Sequence, residues 1–465
     1  PDTDTAVTAE MLQYVSGNYN TTDLGDNRQE SIQAIISGEL FDLPAGAVGF
    51  AAGYEYRKES GSYTPDSLVL QGTTTAGSAV ATDGGYSLDE FFIEATLPIL
   101  ANAPLAHRLE LDVAARYSDY STFGNNTTTK LGVRWMPVED IMIRATVSEA
   151  FRAPGTPEMF GGAETAFPEV NDPCDGDTTP NANCIASGVP VGGYDSGGVE
   201  QVPTKVGGSA NWADATLTPE EADTLTVGVV WNPNFIEGFS ATVDYWNIEL
   251  TNAISEVGAD SRLKGCHDRG EYCDSILRFG AESPVAGSII EVYDYTVNVG
   301  GIDTDGIDFD LRYAFETDIG DWVVQLDGTY LLGYEKEIAG GEVIDHTGRF
   351  EVNHDGFFTE LRSNLTVNWS VDDWSVTGTA RYIGGVTETE AGWWTDPFDR
   401  DVESMTTFDL QGTWQAMENV ALTVGADNIF DKQPPFVYSA FGANTDVTTY
   451  STLGAFTYAR VTLSF

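Results

Sequence analysis

The stretch DIMIRATVSEAFRAPGTPEMF, residues 140–160, contains a strand-like segment and an abrupt exit from it. Its first eight residues, DIMIRATV, are typical of a β-strand. Arg152 then stands between Phe151 and Ala153, and Pro154 and Pro157 follow. Because proline has no N–H to donate to a neighbouring strand, the two prolines end the pairing and stiffen the exit. We therefore expect a strand at about 140–149, followed by a long polar loop at about 150–221.

Alternation of apolar and polar residues recurs along the chain and indicates further strands. It is clear in HRLELDVAARY (107–117), GIDFDLRYAF (306–315) and DWVVQLDGTYLL (321–332). A soluble β-sandwich alternates in the same way. Here, however, the polar positions often carry full charges and aromatic residues cluster near strand ends. These features favour a transmembrane antiparallel β-barrel with an apolar outside and a polar lumen.

The connections between strands support the same fold class. We predict about 15 strands, and short and long connections alternate between them, as in outer-membrane barrels with short periplasmic turns and long extracellular loops. The long connections begin near Glu59, Ser118, Ala150, Thr251, Glu335, Gly385 and Asn428, and the longest are expected at about 150–221 and 251–287. The predicted strands are 30–42, 46–58, 86–97, 106–117, 126–136, 140–149, 222–231, 238–250, 288–316, 321–334, 355–369, 373–384, 403–415, 419–427 and 453–465.

The charge of the sequence and its lack of a recognisable catalytic motif argue against two classes of function. The 465 residues include 22 basic and 72 acidic side chains, which gives a net charge of −50. Such a surface argues against nucleic acid as a partner, because phosphate binding needs basic residues. No catalytic motif stands out, so we predict that the chain is not an enzyme and needs no cofactor.

The four cysteines form two close pairs, Cys174 with Cys184 and Cys266 with Cys273, each in a polar stretch. Two local disulfides in an oxidising compartment are the preferred interpretation. A four-cysteine zinc site is the alternative, but neither pair has the tight spacing that such sites use. Near the first pair, Asp172, Asp175 and Asp177 are weak candidates for a calcium site, since calcium binds several oxygen ligands from a flexible loop.

Aromatic residues in the predicted outer loops are candidate ligand contacts, because they stack on sugar rings or on planar chelates. The alternative is that they pack the loops together or anchor at the lipid interface. The candidates are Trp212, Trp393, Trp394 and Phe398.

Three motifs resemble those of one known family. The segment 148–160, SEAFRAPGTPEMF, resembles the S-x-x-F-R-A-P…E-L-F box of TonB-dependent outer-membrane receptors, with Met159 in place of leucine. GADNIFDKQPP (425–435) is similar to their N-L-F-D-K box, and 38–60 to a hairpin of large members. The chain ends at Phe465 with Ala459, Val461 and Leu463 on the same face, like the termini that the barrel-assembly machinery reads.

The resemblance implies a 22-stranded barrel filled by an N-terminal plug that TonB contacts. Counted back from Phe465, this chain would supply the C-terminal part: residues 1–29 as an extracellular loop segment and 30–465 as barrel. The plug, the TonB-contact segment and the first strands would lie elsewhere in the same protein or in a companion chain. We therefore expect the first strand, near 30–42, to pair with material outside this chain.

The function implied is active import of a scarce extracellular nutrient, such as a carbohydrate, a peptide or a metal chelate, energised through TonB. The location implied is the outer membrane of a Gram-negative bacterium, in contact with lipid and lipopolysaccharide. A passive porin or a surface all-β binding protein are the alternatives. Within this frame Arg152 is expected to turn inward to lumen or plug groups and to fix the root of the longest loop; the alternative is snorkelling to water or headgroups.

Overall fold

The computed structural model describes residues 8–16, 20–74, 79–208, 217–351, 356–389, 399–438, 440 and 443–464. The α-helices are α1 (Ala9–Ser16), α2 (Ser67–Leu70), α3 (Thr156–Phe160), α4 (Ala182–Ala186) and α5 (Ala259–Arg269), and a 3-10 helix spans Cys273–Ser275. The strands are β1 (Leu24–Leu43), β2 (Gly46–Thr64), β3 (Thr82–Ala103), β4 (Ala106–Tyr120), β5 (Gly124–Val138), β6 (Ile141–Arg152), β7 (Glu164–Ala166), β8 (Glu169–Val170), β9 (Glu200–Gln201), β10 (Thr204–Val206), β11 (Glu220–Trp231), β12 (Phe239–Thr251), β13 (Ile254–Ser255), β14 (Ile276–Arg278), β15 (Ile289–Asp294), β16 (Val297–Asn298), β17 (Gly301–Thr317), β18 (Gly320–Glu337), β19 (Val343–Asp345), β20 (Arg349–Glu351), β21 (Gly356–Phe357), β22 (Leu361–Val371), β23 (Trp374–Ile383), β24 (Val386–Thr389), β25 (Asp399–Val402), β26 (Met405–Met417), β27 (Val420–Asp427) and β28 (Phe456–Leu463).

One antiparallel sheet of 16 strands dominates the structure. Its long strands follow one another in chain order, and the short β19 pairs with β18 at the side. The order is β1-β2-β3-β4-β5-β6-β11-β12-β17-β18-β22-β23-β26-β27-β28. Each long strand therefore pairs with the long strands before and after it in the chain. This confirms the predicted all-β antiparallel class with about 15 strands.

The two faces of this sheet differ in chemistry, and the register keeps them apart. Val113, Leu131, Val147 and Leu225 lie opposite one another across β4, β5, β6 and β11. One position along, Lys130, Ser148 and Thr224 face the other way. We call these the apolar face and the polar face. A slip of one residue would exchange the faces, so the alternation itself determines the register.

The connections at the two ends of the strands differ in length. The connections at one end, which we call the short-turn rim, are 44–45, 104–105, 139–140, 232–238, 318–319, 372–373 and 418–419. Those at the other end, which we call the long-loop rim, are 65–81, 121–123, 153–219, 252–300, 338–360, 384–404 and 428–455. The predicted alternation is wrong at one place. The long loop expected near Ser118 is only 121–123, because β4 and β5 continue to Tyr120 and Gly124.

Aromatic side chains gather on the apolar face beside the short-turn rim. The indole N–H of Trp135 donates to the Leu105 carbonyl at 2.9 Å, and that of Trp369 donates to the Ile319 carbonyl at 2.8 Å. Both acceptors lie in short turns. The rings thus present an apolar body beside the sheet and a polar tip toward the turns, the arrangement seen at membrane–water interfaces.

The predicted strand 288–316 is wrong. The chain bends at Gly300, whose φ is +75°. The sheet strand β17 begins only at Gly301, whereas β15 and β16 belong to small sheets in the loop. Because the alternation continues on both sides of the bend, periodicity could not separate the two parts. The loop that was expected to end at 287 therefore extends over 252–300.

The ends of the sheet also differ from prediction. Strand β1 begins at Leu24, so the strand starts inside the segment 1–29 that was expected to be loop. The last strand is β28, from Phe456 to Leu463, and lies within the predicted 453–465. Among the described residues, β1 pairs only with β2 and β28 only with β27, so the sheet has two open edges. The expected pairing of β1 with further material stays a prediction.

No helix in the described part of the chain is long and apolar enough to cross a membrane.

Candidate functional site at the long-loop rim

Arg152 joins three segments where β6 leaves the sheet. It lies opposite Glu220 of β11 and donates from Nε to that carboxylate at 2.5 Å. Its two terminal nitrogens donate to both oxygens of Glu158 at 2.9 Å each. Glu220 also accepts the Ile254 N–H at 2.7 Å, which ties in the next loop. One guanidinium therefore fixes the roots of two loops by charge-assisted hydrogen bonds, the stronger kind.

The register places Arg152 on the polar face, in line with Ser148 and Thr224. Its contacts are with Glu158 and Glu220 of this chain, where the longest loop begins and ends. The role expected for Arg152 at the root of this loop stays a prediction. A contact with a plug stays a prediction.

The helix α3 follows directly and is held by the same network. The Glu158 carboxylate accepts the Gly155 N–H at 2.5 Å, which satisfies a free donor at the start of the helix. Phe160, at the other end, lies on Gly84 of β3: a β-carbon there would come 2.1 Å from the Phe160 ring. Glycine at 84 thus lets the helix approach the polar face of the sheet.

Two loops of this rim fold together into one unit, which we call the rim lobe (153–208 and 252–300). Its central sheet has the order β14-β15-β10-β7, with β10 and β15 parallel. Strand β10 comes from the first loop and β15 from the second. A buried core joins both loops and consists of Val170, Val202, Ala259, Leu263, Cys266, Ile276, Ile289 and Val292. The lobe therefore has a small hydrophobic core of its own.

Both predicted disulfides are confirmed, and both lie in the rim lobe. Cys174 and Cys184 are bonded with an S–S distance of 2.01 Å, and Cys266 and Cys273 with 2.06 Å. Each bridge closes a short loop, of separation 10 and 7 residues. Cys266 also belongs to the lobe core, so this bridge ties α5 to the 3-10 helix that follows.

Arg278 is the polar hub of the lobe. Its side chain and that of Asp172 are each 1% exposed and form an ion pair at 2.6 Å. Nη1 also donates to the Gly287 carbonyl, and Nε donates to the Ser187 hydroxyl. Tyr194 donates to Asp172, and burial together with this bond raises the pKa of its hydroxyl well above the usual value. Because buried charges are tolerated only when paired, Arg278 and Asp172 require the two loops to stay together.

A second buried pair sits at the start of α5. Arg262 donates from Nε to Asp294 at 2.7 Å, and the Asp294 carboxylate also accepts the N–H groups of Val257 and Gly258. Asp294 thus neutralises the buried arginine and satisfies backbone donors beside the helix N-terminus.

The three aspartates proposed for calcium do not converge. Asp172 is committed to Arg278 and Tyr194, Asp175 accepts from Ser196 and Gly198, and Asp177 accepts from Thr179. Within the described ranges there is no group of three or more His, Cys, Asp or Glu residues that could hold a metal ion. This geometry gives the calcium hypothesis no support.

A cavity of about 800 Å³ lies between the rim lobe and the polar face of β1, β2 and β3. We call it the rim cavity. Its polar lining comes from four hydroxyl side chains, the Asn27 amide and the carboxylates of Glu164 and Glu256. Its volume is within the range typical of small-molecule sites.

Several predicted site residues fall outside the described part of the chain. These are the ligand-contact candidates Trp212, Trp393, Trp394 and Phe398 and the terminal Phe465. Sequence reasoning also missed residues that matter here. Glu158 and Glu220 could have been suspected, because each stands near the Arg152 motif or at the end of the same loop. Arg278, Glu164 and Glu256 carry no local signal; only the folding of two distant loops onto each other brings them together.

Comparison with known proteins agrees with this architecture. The family model described as TonB dependent receptor-like, beta-barrel matches residues 2–429. No curated protein matches the chain. Among solved structures, a ferric enterobactin receptor from Pseudomonas aeruginosa, solved with enterobactin, is 17% identical with a TM-score of 0.62, over 95% of this chain and 55% of that one.

Two further solved structures are similar at comparable sequence identity and TM-score. The siderophore receptor PirA from Acinetobacter baumannii is 13% identical with a TM-score of 0.61, over 95% of this chain and 55% of that one. The FrpB iron transporter from Neisseria meningitidis is 12% identical with a TM-score of 0.57, over 97% of this chain and 57% of that one. At these identities the similarity shows the fold, and the chain spans a little over half the length of each structure. Because the family model matches residues 2–429, the chain belongs to the TonB-dependent receptor family, and the match is to the β-barrel part of that family.

Proposed function

We propose that the protein imports a metal chelate across the outer membrane of a Gram-negative bacterium, with energy supplied through TonB. The match to the TonB-dependent receptor barrel over residues 2–429 carries this proposal. Of the three nutrient classes expected from the sequence, the metal chelate is the one that the similar solved structures favour, since their names describe siderophore and iron receptors.

The sheet supports this function in two ways. The apolar face with its aromatic residues near the short-turn rim suits contact with lipid, and the polar face suits a hydrated lumen. The rim lobe and the other long loops would then face the extracellular medium, and the first barrel strand of this chain would be β1, which begins at Leu24 inside the segment 1–29. A plug and the TonB contact would come from outside the described strands, as further parts of the protein or a companion chain.

Uptake in cells tests the proposal. A strain lacking the gene should lose uptake of at least one radiolabelled ferric chelate, and a plasmid copy should restore it. Uptake should stop when the proton-motive force is dissipated or when tonB is deleted. Uptake that continues under both conditions would instead favour a passive porin. Release of the protein from membranes by an alkaline wash would favour a surface binding protein.

A further inference from the structure

The rim cavity is covered by two segments of the rim lobe, the first of which begins at Thr156, just after the end of β6 at Arg152. Residues 156–164 and 206–208 lie above the polar face at the long-loop ends of β1, β2 and β3. The cavity therefore opens on the side of the sheet that the proposed function assigns to the lumen, at the end where the long loops gather.

Close backbone approach builds the walls of the cavity. A β-carbon on Gly162 would come 2.2 Å from the Val80 side chain, and one on Gly208 would come 2.4 Å from the Gly161 carbonyl. Gly208 also has φ +63°, which favours glycine. Side chains at these positions would displace the roof, so the cavity depends on glycine where the segments meet.

The polar side chains of the cavity are either negatively charged or uncharged. Glu164 and Glu256 supply carboxylates, and Ser62, Tyr63, Thr82 and Thr156 supply hydroxyls. Both glutamates are exposed. Among the described residues that line the cavity there is no lysine, arginine or histidine. Glu256 already accepts a bond from Thr296 at 3.3 Å and keeps a second carboxylate oxygen for a ligand.

The basic side chains near the cavity are paired with other groups, so they do not neutralise Glu164 and Glu256. Lys205, next to the lining residue Val206, donates to Thr165 at 2.6 Å and lies 3.8 Å from Glu291. Arg152, just before the lining residue Thr156, pairs with Glu158 and Glu220. On the polar face of β2, Arg57 lies 3.5 Å from Glu59. An anion in the cavity would therefore meet uncompensated carboxylates, whereas a hydroxyl or ammonium group could donate to them.

We infer that the rim cavity binds a small molecule of zero or positive net charge through hydrogen bonds to Glu164 and Glu256, and that it excludes anionic chelates. This inference rests on the proposed function and specifies the charge of the substrate.

The test compares three ferric chelates of similar size: a cationic amine-bearing hydroxamate, a neutral tris-hydroxamate and a trianionic tris-catecholate. Binding is measured on the purified, complete protein in detergent by tryptophan fluorescence. The wild-type protein should bind the cationic and neutral chelates at least about 10-fold more tightly than the trianionic one, and the double variant Glu164→Gln/Glu256→Gln should lose about 10-fold for the cationic chelate.

Glu169→Gln is the matched control, because Glu169 is an exposed glutamate of the same lobe outside the cavity. It should bind all three chelates like the wild type. Preference of the wild type for the trianionic chelate would overturn the inference, and so would unchanged binding by the double variant. Either result leaves the proposed function intact, whereas failure to bind or import any metal chelate contradicts the proposed function itself.

Discussion

Arg152 shows how one side chain organises the exit from a strand. Its guanidinium contacts two carboxylates in a fork geometry that lysine could not reproduce. The two prolines end the pairing, but the arginine decides where the chain goes next, because it holds Glu158 of α3 beside Glu220 of β11. The sequence suggested a role for Arg152 at the loop root, but it did not indicate which residues Arg152 contacts.

We expect Arg152→Ala to loosen α3 and the start of the loop without unfolding the sheet. Loss of charge-assisted hydrogen bonds costs about 1–3 kcal/mol. Hydrogen exchange should show about 10-fold or greater loss of protection in residues 155–164, with residues 141–147 unchanged. Arg134→Ala is a matched control, since its side chain is 45% exposed against 48% for Arg152 and it is paired with Asp112 on the same face. Equal protection of α3 in wild type and Arg152→Ala would contradict this account.

The rim lobe is the element that distinguishes this rim from a set of independent loops. It combines two disulfides, one shared core and two buried ion pairs. Loops usually lie on the surface because their backbone groups need partners. Here short strands from both loops supply those partners, so the lobe can roof a cavity with a defined shape.

We expect Arg278→Met to destabilise the lobe by roughly 3–5 kcal/mol, because Asp172 is left charged, buried and unpaired. The double variant Asp172→Asn/Arg278→Met removes both charges and should recover part of this loss. Hydrogen exchange of residues 184–202 and 276–292 measures both effects. Arg269→Met, which breaks an exposed pair with Glu271 in the same lobe, should change little. A double variant as unstable as the single one would show that the unpaired charge is not the cause.

At the scale of the whole molecule, the main feature is that the sheet ends in two strands, β1 and β28, each with one unpaired edge among the described strands. Strand β1 is 20 residues long, and one of its edges has no partner among the described strands. In a bilayer each unsatisfied backbone group costs several kcal/mol, so open sheet edges do not occur in contact with lipid. A membrane-embedded form therefore needs both edges paired, and we predict that further strands between β28 and β1 supply this pairing.

We expect residues 1–465, refolded alone in detergent, to associate through these edges and not to form a discrete barrel. Light scattering should show heterogeneous assemblies, and electrophoresis in SDS should show no compact band that shifts on heating. Addition of the barrel strands that complete the protein should produce such a band. A monomeric, heat-shifting species formed by residues 1–465 alone would contradict the need for further strands.

The sequence by itself determined the strands, their order and the family. Alternation has a period of two residues and depends only on near neighbours, so it survives without knowledge of the fold, and the Arg152 motif is local in the same sense. The sequence pattern gave wrong predictions where local pattern and long-range pairing disagree. Residues 289–298 alternate like β17 but pair within the rim lobe. A long loop was expected near Ser118, but the connection there is a short turn. Only the tertiary structure decided the lobe, its buried Arg278–Asp172 pair and the rim cavity with Glu164 and Glu256. The buried pair joins residues 106 positions apart and the cavity joins residues from Gly25 to Glu256. These contacts arise from how distant loops and strands pack together, which no local pattern encodes.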